Sequence, residues 1–437
     1  MKHSSAPVAA DARTQRAWTM YDWANSVYSL VITTAIFPIF YNAVTTATDD
    51  AGVVSDRVEF LGMDLINTQL YSYVLAASFV VVIVLSPLLS GMADYAGKKL
   101  FFMKVFATVG SVACAGLAAF NPEHLEWSMV ALFLANIGFW GSLGFYNAFL
   151  PEIAPPEEHD RLGARGYVMG YLGSLILLLV CLALIMGIGK HTTRWAFVLV
   201  GVWWMAWAQP AFRRLPQNPY GRKPEGNLLT HGFAELRGVA RELRGQPALK
   251  RYLLSFFIVS MAVQTIMLMA SSFGIKEVKL SDTQLILAII AVQLLAIPGA
   301  FLMAWLSGRI GNLRTLAVCL AVWVGVCVYA YAFVTDVNGF FVAAGIIGFM
   351  MGGTQSMNRS TYSKMLPETQ DQASYFSFYE VLEKGGLIIG MFSWGTIEGL
   401  TGSMRTSVLA LIFFFIAALG VLLSVPAPQA GTRAAAR

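Results

Sequence analysis

Ser78 to Gly110 reads SFVVVIVLSPLLSGMADYAGKKLFFMKVFATVG. Two apolar runs flank a break of a few residues that holds an aspartate, a glycine and two lysines. A soluble domain would have to bury such flanks on every side, whereas a bilayer accepts them directly. About twenty apolar residues at about 1.5 Å rise each cross its hydrocarbon core. The break then reads as a tight turn at a membrane surface, and its lysines mark that surface as the cytoplasmic one.

Working outward, the rest of the chain is of the same kind. Of 437 residues, 57% are hydrophobic and 13% charged, about half the charge of an average soluble domain, and mean hydropathy is +0.62. The chain reads as an integral membrane protein. Ten-residue blocks of strand-like alternation, the mark of an outer-membrane barrel, are absent, so an all-α fold is expected. Apolar runs place about twelve spans near 18–43, 66–91, 100–120, 127–150, 166–189, 194–210, 252–274, 284–307, 314–334, 338–357, 376–397 and 406–425. Lys98, Lys99, Lys104, Arg161, Arg165, Arg213, Arg214, Arg309, Arg314 and Lys364 crowd alternate loops. The opposite loops hold Arg57, Lys190, Arg194, Lys276, Lys279 and Arg405, and this asymmetry puts both termini in the cytoplasm. The opening MKHSSAPVAADARTQR lacks the short apolar core of a signal peptide, so the first span reads as uncleaved. The Ala/Arg-rich tail fits a bacterial inner-membrane protein.

Five regions follow: a cytoplasmic tail at 1–17, a six-helix bundle at 18–210, a cytoplasmic linker at 211–250, a second bundle at 251–425 and a tail at 426–437. Within the linker, Phe233, Leu236, Val239 and Leu243 share one helical face opposite Arg237, Arg241 and Arg244, which suits a helix lying on the inner leaflet. The halves echo each other. Leu150-Pro151-Glu152 follows the fourth span and Leu366-Pro367-Glu368 the tenth; Gly170 falls on Gly386, and Asp94-Tyr95-Ala96-Gly97 falls on Gly308-Arg309-Ile310-Gly311. Two parallel six-span repeats related by an axis along the membrane normal are a carrier architecture, in which two bundles rock about a site near mid-membrane.

Asp94-Tyr95-Ala96-Gly97-Lys98-Lys99 resembles the loop motif of the major facilitator superfamily, with Asp94, Gly97 and Lys99 matching, Lys98 in place of arginine and Ser90 in place of the leading glycine. The resemblance implies that Asp94 accepts hydrogen bonds at the N-terminus of a helix in the other half, where the helix dipole favours negative charge. With Gly308 in the aspartate's place, no matching second latch is expected. Three further segments resemble one branch, the vacuole effluxer family: YDWANSVYSLVITTAIFPIFY from Tyr21, GGTQSMNRSTYSKMLPE from Gly352 and YFSFYEVLEKGG from Tyr375. That family includes a fungal autophagy-related amino-acid effluxer and bacterial relatives. The fold implied is twelve transmembrane helices in two pseudo-symmetric six-helix bundles. Glu383 departs from the family pattern, which has a small residue there.

Asp22 lies about two turns inside the first helix, with Tyr21 and Trp23 at interfacial depth. An aromatic belt with an acid near a helix N-terminus explains this stretch; the family resemblance favours instead a cavity-facing role for Asp22 and Asn25. A charge at membrane depth costs at least a few kcal/mol unless paired or hydrated, so Glu380, Glu383 and Lys384 need partners. Glu380 and Lys384 are four apart and can pair along one helical face, either as a self-neutralised packing pair or as a face lining the path. In the second case Arg359 is the expected cross-helix partner of one of the two acids, and a proton on Glu380 or Glu383 would shift the arrangement. Asn147, Gln264, Gln293, Thr354, Gln355 and Asn358 are uncharged polar groups at depth. Each alone is explained by a bond to a neighbouring helix; together, lining a cavity, they would suit a small zwitterion.

No catalytic triad, phosphate loop or nucleic-acid patch is evident. Cys114, Cys181, Cys319 and Cys327 sit in apolar runs with no paired spacing, and the histidines fall in tails or loops. No cofactor, metal or enzymatic activity is expected. The reading is a monomeric secondary transporter for amino acids or similar polar metabolites, with protons as a candidate coupling ion. Alternatives are a carrier for another metabolite or a lipid-like solute, or a transport-inactive receptor or scaffold.

Overall fold

The computed structural model describes residues 10–48, 54–222 and 227–426. Residues 1–9 and 427–437 of the expected tails and 223–226 of the linker lie outside them. The first helix, α1, runs Ala12–Thr45, starting inside the expected tail because Asp11 caps it, accepting from Thr14 N at 2.8 Å. Its middle, Tyr28–Ile36, is wound as a π-helix. Thr33 and Thr34 both donate their hydroxyls to the Ser29 carbonyl, at 2.7 and 2.8 Å, and side chains that compete for backbone acceptors distort helices.

The remaining helices of the first half are α2 (Asn67–Ala96), α3 (Lys99–Gly116), α4 (Leu125–Asn147), α5 (His159–Ile188) and α6 (Thr193–Arg214). A linker helix, Leu228–Arg244, precedes α7 (Pro247–Phe273), α8 (Asp282–Ile310), α9 (Asn312–Ala332), α10 (Val337–Met365), α11 (Gln372–Thr401) and α12 (Met404–Leu423). Among the described residues, eleven helices are long and apolar enough to cross a membrane. The expected twelfth is α11, a 30-residue helix packed against α7 and α12 of its own half and α2 of the other; Glu380, Glu383 and Lys384 lower its hydropathy. The loop between α1 and α2 adds two antiparallel ribbons to the helical fold, β1 (Ala47–Thr48) with β2 (Val54–Ser55) and β3 (Arg57–Phe60) with β4 (Met63–Ile66).

The repeat is visible in the packing. In the first half α1 packs on α5 and α6, α3 on α4 and α6, and α2 on α4; in the second, α7 packs on α11 and α12, α9 on α10 and α12, and α8 on α10. The halves then meet through α2 with α11 and through α5 with α8, again a symmetric pair. Glycines permit several of these contacts. A Cβ at Gly352 of α10 would press on the Ala296 carbonyl of α8, and one at Gly390 of α11 on the Met261 carbonyl of α7. Close backbone approach at small residues is how helices associate where the lipid supplies no hydrophobic drive. The four cysteines are buried, free packing residues.

Gly352→Ala should therefore overpack the α8–α10 contact and cost about 1–3 kcal/mol. A lowered thermal unfolding midpoint of the detergent-purified protein would register it, while Gly399→Ala, where a Cβ meets nothing within 4 Å, should leave the midpoint unchanged or slightly raised.

Candidate functional site

Toward one end of the helices, α1, α4, α5, α10 and α11 bring together a buried charged network. Asp22 of α1 pairs with Arg359 of α10, Nη2 to Oδ2 at 3.1 Å, across the two halves; the residues are 4% and 2% exposed. The same carboxylate oxygen accepts from the Tyr146 hydroxyl of α4 at 2.7 Å. Arg359 also donates to the Gly163 carbonyl of α5 at 2.9 Å and to Asn147 Oδ1 of α4 at 3.3 Å. Its guanidinium lies 4.0 Å from the centre of the Tyr167 ring and 5.0 Å from that of Trp18. Gly166 of α5 makes room, since a Cβ there would collide with Asp22 Oδ2 and Arg359 Nη2. Deleting one member of such a pair strands the other charge, typically at about 3–5 kcal/mol.

Asn147 carries the network onward, donating through Nδ2 to Glu380 Oε1 of α11 at 3.1 Å. Glu380 Oε2 binds Lys384 Nζ at 2.5 Å, one helical turn away, and Lys384 also contacts Glu383. Glu383 in turn accepts from Gln264 Nε2 of α7 at 2.9 Å, and Lys384 Nζ sits 3.7 Å from the centre of the Trp140 ring of α4. The expected pairing of Glu380 with Lys384 is present. The expected pairing of Arg359 with Glu380 or Glu383 is not: Arg359 pairs with Asp22, and Asn147 stands between Arg359 and Glu380. Tyr21 and Asp22 face protein, because α1 is enclosed by α5 and α6 and Tyr21 is fully buried.

One end of the molecule, where the basic loops converge, holds the two bundles shut. Asp94, at the end of α2, receives the backbone N–H of Ala373 at 3.2 Å and of Ser374 at 2.7 Å, the open N-terminus of α11. Gly97 ends α2 in the left-handed region (φ 66°), where glycine is favoured. Lys98 is the turn residue that follows, and Lys99 is buried against Glu152. The related interface between α8 and α5 was expected to lack a latch, but it has one with the acid on the opposite helix. Asp160, in the first turn of α5, accepts from Ser307 of α8 (2.7 Å), Asn312 (2.7 Å) and Lys364 (2.5 Å). Beside it His159, expected in a loop, is buried in the first turn of α5.

The linker joins this closure. Arg222 donates to the Asp94 carbonyl at 2.6 Å, binds Asp371 at 2.5 Å and lies 3.6 Å from Glu235. Burial works against its charge, but the hydrogen bond and charge of Asp371 outweigh that and raise its pKa above the ordinary value. The linker helix packs on the end of α2, where Gly232 meets Gly91, and Glu242 accepts from the Tyr375 hydroxyl of α11 at 2.9 Å. Val239 faces protein and Phe233 is 61% exposed, so the apolar face expected to lie along the leaflet is in large part docked on the bundle. Among the described residues, the polar contacts between the halves lie at this end or in the buried interior next to it.

The remaining candidates separate. Gln355 accepts from the Tyr171 hydroxyl of α5 at 2.9 Å, a further buried bond between the halves. Asn358 accepts from Tyr252 and Thr354 from Trp323, both within the second half, and Asn25 is buried beside Ser26. A cavity towards the opposite end, between the π-helical part of α1 and the second half, is lined by Ser29, Thr34, Met267, Ile289, Gln293 and Trp394. It is mainly apolar, and of the uncharged polar set only Gln293 lines it. Sequence reasoning passed over Tyr146 and Trp140, which lie in apolar runs, and over Asp160, whose signal was its place in the first turn of α5, the repeat partner of the helix whose start Asp94 meets.

The vacuole effluxer Atg22-like family matches residues 10–435. An uncharacterised MFS-type transporter, YxiO of Bacillus subtilis, is 30% identical over 422 residues, covering 94% of each chain. Autophagy-related protein 22 of Saccharomyces cerevisiae is 24% identical over 420 residues, covering 83% of this chain and 78% of its own. Among solved structures, the major facilitator transporter FucP in its outward conformation superposes with a TM-score of 0.70 at 14% identity, covering 95% of this chain and 98% of its own.

Loss of both latches should loosen the closed end. In a cysteine-free background carrying Ser90→Cys, a site 0% exposed in the closed form, Asp94→Asn with Asp160→Asn should raise the maleimide labelling rate at least several-fold. Either substitution alone should have a smaller effect.

Proposed function

The chain belongs to the vacuole effluxer Atg22-like family of major facilitator transporters, and from that premise we propose that it carries amino acids or similar small polar metabolites by alternating access. We place it in a bacterial inner membrane with both termini and the latched end in the cytoplasm. The observation that carries this reading is the network from Asp22 through Arg359, Asn147 and Glu380 to Lys384, which crosses from one half to the other inside the protein. Buried ion pairs seldom stabilise a fold better than apolar residues of the same volume. One that bridges two rocking bundles has a mechanical use, because opening the latched end must break or exchange it.

The same geometry supports proton coupling. A proton on Glu380 would weaken its hold on Lys384 and its acceptance of the Asn147 N–H, and Asn147 is the group that connects α11 to Arg359. The apolar cavity beside Met267 and Ile289 favours, as a second reading, a solute with a sizeable apolar body, and so a carrier for a lipid-like molecule.

Reconstituted in liposomes, the wild type should exchange a labelled amino-acid pool saturably, and an imposed proton gradient should change the rate severalfold. Lys384→Ala should abolish exchange, and Glu380→Gln should retain exchange but lose its response to the gradient. Absence of flux from well-folded protein would reject amino acids as the solute, and an unaltered gradient response in Glu380→Gln would reject that residue as the coupling group.

A further inference from the structure

The central network holds three carboxylates, Asp22, Glu380 and Glu383, against two bases, Arg359 and Lys384. Asp22 matches Arg359, and Glu380 matches Lys384. Glu383 is left over, because its other partner is the uncharged amide of Gln264. The groups that face it from neighbouring helices supply no further positive charge. These are Gln264 of α7, Trp140 beside Lys384 on α4, the Tyr167 phenol of α5 and, on α11 itself, Tyr379. It also differs from its partners in access: its side chain is 18% exposed, against 2% for Glu380 and 1% for Lys384. An unmatched carboxylate at membrane depth is expensive to keep, and this one is the member that a visiting group can reach.

We propose that Glu383 is the subsite for an ammonium group of the transported solute. This rests on the carrier reading and adds the charge of the solute to it. A hard metal ion is a poor alternative, because calcium takes six to eight oxygen ligands and magnesium a near-octahedral shell, whereas Glu383 is met here by the N–H donors of Gln264 and Lys384. An organic ammonium suits the surroundings, which are rich in rings that attract cations: Trp140 and Tyr167 already carry Lys384 and Arg359 against theirs. The other end of the network is complementary. Arg359 is 2% exposed, yet its Nε has no acceptor among the described residues, so the network combines an unmatched acid with an unmatched donor, as a zwitterion requires.

Occupancy would be felt across the halves. Lys384 divides its contacts between Glu380 and Glu383. An ammonium on Glu383 turns Lys384 wholly to Glu380, whose second oxygen holds Asn147 of the opposite bundle. Binding is thereby transmitted to a bond that spans the two halves.

Three probes share one skeleton: leucine, 3-methylbutylamine, which keeps only the ammonium, and 4-methylpentanoate, which keeps only the carboxylate. Titration calorimetry on the full-length protein in nanodiscs should show saturable binding of leucine and of the amine to the wild type. Both should weaken at least tenfold in Glu383→Gln and less in Glu383→Asp, with 4-methylpentanoate no weaker in either. A second measurement needs no variant: saturating amine should protect Glu383 of the wild type from carbodiimide modification, mapped by mass spectrometry. Unchanged amine affinity in Glu383→Gln, no saturable amine binding to the wild type, or equal modification with and without amine would each overturn the assignment. If amino-acid flux fails in liposomes while the amine still binds through Glu383, the amino-acid reading falls and the ammonium subsite stands.

Discussion

Everything at the centre of this molecule depends on a charge that neither bundle neutralises alone. Arg359 belongs to the second half and finds no carboxylate there; Asp22 belongs to the first and has only the Tyr146 hydroxyl until Arg359 arrives. In a low-dielectric interior an unmatched charge is far more costly than an unmade hydrogen bond. The fold therefore specifies how the bundles meet, and it does so at a buried point where water is least able to substitute. Gly163, Gly166 and the Trp18–Tyr146 stack, with ring centres 4.6 Å apart, are the accommodations that this one pair demands of α1, α4 and α5.

Around that pair the two interfaces between the bundles are related by the repeat but built from different chemistry. Where α2 meets α11, a carboxylate at the end of one helix takes two backbone N–H groups at the start of the other. Where α8 meets α5, the carboxylate sits at the helix start, and a serine, an asparagine and a lysine come to it. The first bond uses the helix dipole; the second uses side chains. Duplication conserved the place of contact and left the donors free to change sides.

Much of this was legible in the sequence. The turn at Asp94–Lys99, the echo of Leu150-Pro151-Glu152 in Leu366-Pro367-Glu368 and the spacing of apolar runs are local signals, and local signals survive without coordinates. The Glu380–Lys384 pair was legible for the same reason, being one turn apart on one helix. Arg359 was not, because its choice among Asp22, Glu380 and Glu383 is decided by how α1 and α11 sit around α10, and no spacing records that. Nor was the π-helical stretch of α1, which needs Thr33 and Thr34 to share one carbonyl, or the docking of the linker helix, whose amphipathic pattern fits a lipid surface and a protein surface equally well. Trp140 and Tyr146 escaped because an aromatic residue in an apolar run carries no mark of the cation or acid it will meet.

The linker has a kinetic meaning. Arg222 grips the last turn of α2 and the approach to α11 together, so separating the bundles at this end must first undo a contact made by a segment that touches neither the central network nor the cavity. The covalent tether is thus also a clock. Residues on the linker set how long the closed form persists, and two carriers with identical interiors could turn over at different speeds because of what joins their halves.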